Sequence, residues 1–141
     1  MEDNIITSTQ NARIKHVVAL QQKSALRREE RLFVVEGQRE LMHCLEAGFE
    51  VDTLFCCPSL ISDIELPACR QVEVTEDIYA RIAYRGTTEG IVAEVRAKSL
   101  SLSNLRLSEC PLIVVLERVE KPGNLGAVLR SADAAGADAV I

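Results

Sequence analysis

The residues best suited to chemistry lie late in the chain, in "LERVEKPGNLGAVLRSADAAG", which holds Glu117, Gly123, Asn124, Gly126 and Arg130. Asn124 brings an amide whose oxygen can accept from an early backbone N–H and so cap the helix expected to follow. Arg130 brings a planar, permanently charged fork that suits a phosphate or a carboxylate. Pro122 and Gly123 mark a turn. Gly126 falls in the first turn of the expected helix, where glycine costs about 1 kcal/mol relative to alanine, so a close approach is expected to require the missing side chain. On residue types alone two readings stand: a turn that handles an anion, or a capped helix that carries an exposed arginine.

The elements that must position these groups follow from the flanking pattern. Leu112 to Leu116 is an unbroken apolar run, expected as a strand buried on both faces. Ala127, Ala132, Ala134 and Ala135 make a small-residue helix that can pack tightly on a sheet, Gly136 ends it, and "ADAVI" begins the next parallel strand. Asn124 and Arg130 are thereby expected near the carboxyl end of a parallel strand, where open α/β sheets bind ligands. Arg130 can point back along its helix, because long helical side chains lean toward the N-terminus. No Gly-Lys-Ser/Thr follows the glycines and the dinucleotide fingerprint is absent, since Gly123 and Gly126 supply only G-x-x-G. An RNA-binding KH loop is set aside as well, because that loop joins two helices and this one joins a strand to a helix.

The preceding residues read as alternating strands and helices. "STQNARIKHVVALQQKSALRREE" is expected as a helical region with Ser and Thr cap candidates and an approximate stripe of Ala12, Ile14, Val17 and Val18, extended by Leu20. "RLFVVEG", "EVDTLFC", "QVEVT" and "GIVAEVR" read as strands. "GQRELMHCLEAG" and "EDIYARIAYR" read as helices, the first ended by Gly48 and the second capped by Thr75. This alternation implies an α/β sheet covered on both faces. Residues 1–97 form the expected first domain, 98–110 a linker whose alternating leucines could also make an edge strand, and 111–141 the start of a second domain.

The charge is unevenly placed. Net charge is −5, which argues against a simple nucleic-acid binder. Yet residues 13–31 carry Arg13, Lys15, Lys23, Arg27, Arg28 and Arg31 against only Glu29 and Glu30, a basic arm on an acidic body. Such asymmetry suits a chain that contacts phosphate at one place, and the bland alternative is a solvated helix face. Aromatic residues make up 4% of the chain, with no tryptophan, so recognition through phosphate and shape is expected over base stacking. The cysteines, Cys44, Cys56, Cys57, Cys69 and Cys110, are odd in number and lack a C-x-x-C spacing; they read as small hydrophobes, and no metal site is expected. No apolar run is long enough to span a membrane, the first residues lack the order of a signal peptide, and a cytoplasmic protein is expected.

"LERVEKPGNLGAVLRSADAAGADAVI" resembles the first conserved motif of the SpoU/TrmH family of RNA 2′-O-ribose methyltransferases, which use the trefoil-knotted SPOUT fold. "ITSTQNARIKHVVALQQKSALRREERLFVVEGQREL" is similar to the family's N-terminal extension and RNA-substrate-binding domain, itself like an RNA-binding ribosomal protein. "AYRGTTEGIVAEV" resembles the closing signature of that domain, with Thr88 where the family usually has proline. The resemblance covers essentially the whole chain. It implies transfer of the methyl group of S-adenosyl-L-methionine to a ribose 2′-hydroxyl of a structured RNA, ribosomal before transfer RNA. It makes Asn124 and Arg130 the catalytic-motif residues, with Glu117, Gly123 and Gly126 supporting their loop. Arg13, Lys15, Lys23, Arg27, Arg28, Arg31 and, more weakly, Arg85 and Thr87 become the candidate RNA contacts. The permanent charge of a guanidinium makes Arg130 a positioning and electrostatic group in this reading, not a general base. The family builds its cofactor pocket mainly from two later motifs that are not among these residues. The chain is therefore expected to be a fragment of a homodimeric enzyme, without cofactor binding of its own; a non-catalytic RNA-binding module is the alternative.

Overall fold

The computed structural model describes residues 5–62, 65–84 and 89–141, which form two compact units that divide between Lys98 and Ser99. The first unit holds helices α1 (Ala12–Gln22), α2 (Ser24–Glu30), α3 (Gln38–Glu46) and α4 (Glu76–Ile82). Its strands are β1 (Leu32–Glu36), β2 (Val51–Cys56), β3 (Arg70–Glu73) and β4 (Ile91–Arg96). The sheet order is β1-β4-β2-β3, with β4 antiparallel to both neighbours and β2 parallel to β3.

The side-chain alternation of the strands feeds two apolar layers. Phe55, Val72 and Val92 pack with Ile14 and Val17 of α1 and with Ile78, Tyr79 and Ile82 of α4. Leu54, Cys56, Ile91, Ala93 and Val95 face the other way, onto Leu41 of α3. The sheet is thus covered on both faces, as the alternation implied. Gly90 enters β4 with φ +68°, and a Cβ there would sit 2.9 Å from the Ile61 nitrogen and 3.0 Å from the Cys57 oxygen, so the position requires glycine.

Several local expectations are corrected. The N-terminal helical region is two helices, broken at Lys23, whose backbone is extended. Asn11, not a serine or threonine, caps α1: its side-chain oxygen accepts from the Arg13 N–H at 2.9 Å. Thr75 occupies the cap position of α4 without a side-chain capping bond, and that helix ends at Ile82. Gly48 does close α3, with φ +72° and its N–H donating to the Leu45 oxygen.

The second unit holds a 3₁₀ turn (Leu102–Asn104), β5 (Ile113–Val114), α5 (Pro122–Ala134) and β6 (Ala139–Val140), with β5 parallel to β6. Residues 98–110 contain that turn and no edge strand. The strand expected over Leu112–Leu116 is present as the shorter β5 and is not buried on both faces, since Leu112, Ile113 and Val115 are exposed. Two strands and one helix cannot enclose an apolar run that needs cover on both faces. Asp138 ties this unit together, its carboxylate accepting from the N–H groups of Ser108 at 2.8 Å and Leu112 at 2.9 Å. These bonds hold the Asp138 carboxyl below the ordinary carboxylate range.

Candidate nucleic-acid interface and strand–turn–helix site

In the second unit the chain leaves β5, passes Glu117 and turns through Arg118, a non-glycine residue at φ +53°. Left-handed backbone at such a residue costs about 1 kcal/mol or more, and it was not signalled by any glycine or asparagine. Lys121 caps α5 and Pro122 occupies its first position, where the fixed φ of proline suits a helix start. The sequence expectation of Asn124 as the cap is therefore wrong by one turn. Asn124 lies inside the first turn, its N–H donating to the Lys121 oxygen at 3.0 Å. No acidic side chain occupies that turn, so the partial positive charge of the helix end is left for an anion.

Gly126 consequently sits in the second turn. A Cβ at Gly123 or Gly126 would meet nothing within 4 Å, so the close approach expected at Gly126 involves no atom of the described residues. Gly136 ends the helix region at φ +69°, as read from the sequence. Asn124 and Arg130 are both exposed, and neither side chain makes a hydrogen bond or ion pair among the described residues. They are six residues apart, which turns them by roughly 120° around the helix axis. The structure does not bring them onto one face. An open groove between α5 and β5 is lined by Leu112, Val114, Ala127, Val128, Ser131, Ala132 and Ala135, and neither Asn124 nor Arg130 lines it.

That groove tests whether this unit can hold a nucleoside cofactor. Ser131 is its only side chain with a hydroxyl or charge, so nothing there converges on the amino-acid and adenine ends of such a molecule. The groove along α5 therefore offers such a molecule one polar side chain, Ser131.

In the first unit the basic residues separate into different uses. Arg27 is folded back onto the end of α1, its guanidinium donating to the Leu20 oxygen at 2.6 Å and the Gln21 oxygen at 3.1 Å. These are unpaired terminal carbonyls of a helix, which favour a cation. Arg27 thus has a local structural role, and it also lines the groove of Arg28 and Arg31. Arg28 and Arg31 are exposed and line a shallow groove with Leu32 and Phe33. Arg13 lies against the segment Ile5–Ser8. Lys15 and Lys23 line a groove between α1 and α4, joined there by Arg81, which sequence reasoning passed over. Only the basic side chain in the last turn of α4 hinted at Arg81. Arg85 lies outside the described residues, as do Thr87 and Thr88.

His16 and Glu94 were also missed. The His16 Nδ1 lies 2.7 Å from Glu94 Oε1, and its Nε2 lies 2.6 Å from Glu30 Oε2. Burial opposes protonation of His16, but the hydrogen bonds to Glu30 and Glu94 outweigh it and raise its pKa. Burial also raises the pKa of Glu94, against the pull of His16. Arg96 pairs with Asp52, and Lys98 donates to the Ala47 oxygen while standing over the Phe49 ring at 4.5 Å. Of the cysteines, Cys56 and Cys57 are buried, Cys44 and Cys69 are half-buried, and Cys110 is exposed, so the reading as small hydrophobes suits Cys110 least. Burial pushes the Cys56 thiol up to about 11, which keeps it protonated at neutral pH. No cluster that could hold a metal ion is found among the described residues. No helix among them is long and apolar enough to cross a membrane.

The first unit is an α/β sheet covered on both faces and bearing cationic grooves, and the second is a parallel strand–turn–helix. Residues 11–93 match the MRM3-like substrate binding domain. The chain is 28% identical over 138 residues to the 23S rRNA guanosine 2′-O-methyltransferase RlmP of Bacillus subtilis, covering 96% of this chain and 53% of that one. A crystal structure of an RNA 2′-O ribose methyltransferase matches with a TM-score of 0.79 at 39% identity, over 96% of this chain and 54% of the other. The SpoU methyltransferase AviRb of Streptomyces viridochromogenes, solved with AdoMet, matches with a TM-score of 0.81 at 26% identity, over 93% and 52%. The chain belongs to the SpoU/TrmH family of RNA 2′-O-ribose methyltransferases. It spans about half of the length of these relatives.

Proposed function

We propose that the whole protein transfers a methyl group from S-adenosyl-L-methionine to a ribose 2′-hydroxyl of ribosomal RNA, acting in the cytoplasm as a homodimer. The reading rests on one observation: the likeness to 2′-O-methyltransferases runs through both units, from the substrate-binding domain into the strand–turn–helix. The first unit contributes RNA binding. The second contributes Asn124 and Arg130, whose exposed side chains are available to a partner surface. Arg130 would fix an RNA phosphate so that the ribose hydroxyl meets the methyl carbon in line, with Glu117 in the loop and Gly123 and Gly126 leaving the start of α5 open to the substrate. The cofactor would be held by residues other than these 141, since the groove along α5 lacks the polar groups to do so.

A binding module without catalysis is the second reading, favoured by that same absence of a polar pocket. Titration calorimetry of the 141-residue chain with S-adenosyl-L-methionine should detect no binding; micromolar affinity would show that the pocket lies within it. In the intact protein, Arg130→Ala should lower methyl transfer to a 23S rRNA transcript about a hundredfold, the scale of a misplaced reactant. Unchanged transfer would remove Arg130 from the mechanism.

A further inference from the structure

We infer that the groove between α1 and α4 is a seat for the phosphate backbone of the substrate RNA, gripped by Lys15, Lys23 and Arg81. This deepens the RNA-binding reading above and rests on it. The groove measures about 520 Å³ and has an apolar floor of Ile14, Val18 and Ala19. Its rim carries the three cations with the amides of Gln10 and Gln22, and no carboxylate lines it. On a chain of net charge −5 that is a local reversal of sign.

The cations are also uncommitted. None of the three side chains makes an ion pair or a hydrogen bond among the described residues, and all three are exposed. Asp77 stands one turn before Arg81 on α4 and does not pair with it, while Glu76 accepts from the Ser59 hydroxyl at 2.6 Å. Three other cations are engaged: Arg27 on helix carbonyls, Arg96 on Asp52, and Lys98 on the Ala47 oxygen. Arg31, which borders the neighbouring groove of Arg28, also lines a cleft with Glu30 and Glu50.

The groove is held open by a fixed crossing of its two walls. Ile14 and Val17 pack against the α4 side of the core, and the Gln21 amide donates to the Ile82 oxygen, the residue after Arg81. Arg81 is therefore presented to α1 by a packed junction. An RNA strand laid along the groove would put phosphates against three cations while riboses and bases cover the apolar floor, so charge and shape are matched together.

The test is the salt dependence of binding between the 141-residue chain and a 23S rRNA transcript. The variant Lys15→Gln/Lys23→Gln/Arg81→Gln is compared with Arg39→Gln/Arg70→Gln/Arg106→Gln, which removes equal charge from exposed positions off the groove. Each lost phosphate contact lowers the slope of log K against log salt by about 0.7–0.9, so the groove variant should flatten it by about 2 and weaken binding about tenfold or more. Equal flattening by the control, or none by the groove variant while the wild type binds, overturns the groove and leaves the RNA reading intact. Absence of binding by the wild type overturns both. Circular dichroism checks that each variant is folded, and Lys15→Gln/Lys23→Gln alone should flatten the slope by more than 1.

Discussion

His16 of α1 and Glu94 of β4 meet at 2.7 Å across 78 residues of sequence, and the other ring nitrogen of His16 reaches Glu30 at 2.6 Å. Glu94 is 4% exposed, a buried carboxyl group on an inner strand of the sheet. A protonated imidazole can donate to both carboxylates at once; a neutral one can donate to only one and turns a lone pair toward the other. The bridge ties α1 and the last residue of α2 to the sheet.

Stability should fall as pH rises through the neutral range. The His16 pKa is raised above its ordinary 6.5, so its contribution is complete below that value and is lost as pH passes the higher folded value. Glu94, raised above its ordinary 4.5, acts in the same sense from a lower starting pH. Urea unfolding between pH 5.5 and 8.5 should show the decline, and Glu94→Gln should flatten it. A flat wild-type profile would remove the bridge from the stability of the fold.

Gly90→Ala should destabilise the first unit by about 2 kcal/mol, from left-handed backbone and the crowding of Ile61 and Cys57. Denaturant midpoints measure it. A loss below a few tenths of a kcal/mol would mean that the Cys57–Ile61 segment yields readily.

Arg27→Ala should cost about 1 kcal/mol, since it strips a charge-assisted donor from the end of α1. Arg28→Ala should change stability by less than about 0.5 kcal/mol, as an exposed side chain without a partner among the described residues. Unfolding of the two single variants side by side separates these roles, and equal losses would contradict them.

Gly126→Ala should stabilise α5 by up to about 1 kcal/mol, because the new methyl meets nothing within 4 Å. Helical hydrogen exchange in the 141-residue chain reads this out. If the intact protein instead loses methyl transfer while the isolated chain is stabilised, the glycine serves a group that approaches α5 from outside these residues.

The sequence by itself determined the alternation of helices and strands, the two-sided cover of the first sheet and the ends of α3 and α5 at Gly48 and Gly136. Those features depend on side-chain periodicity and on single-residue backbone preferences, which are local. It also determined the family, through a strand–turn–helix motif whose letters are contiguous. Only the tertiary structure decided which cations are free. The break at Lys23 turns Arg27 onto helix carbonyls, and the packing of α4 on α1 brings Arg81 beside Lys15 and Lys23, residues far from it in sequence. Placing β4 between β1 and β2 sets Glu94 beneath His16. Such meetings follow from strand order and helix crossing, and no short-range pattern encodes them.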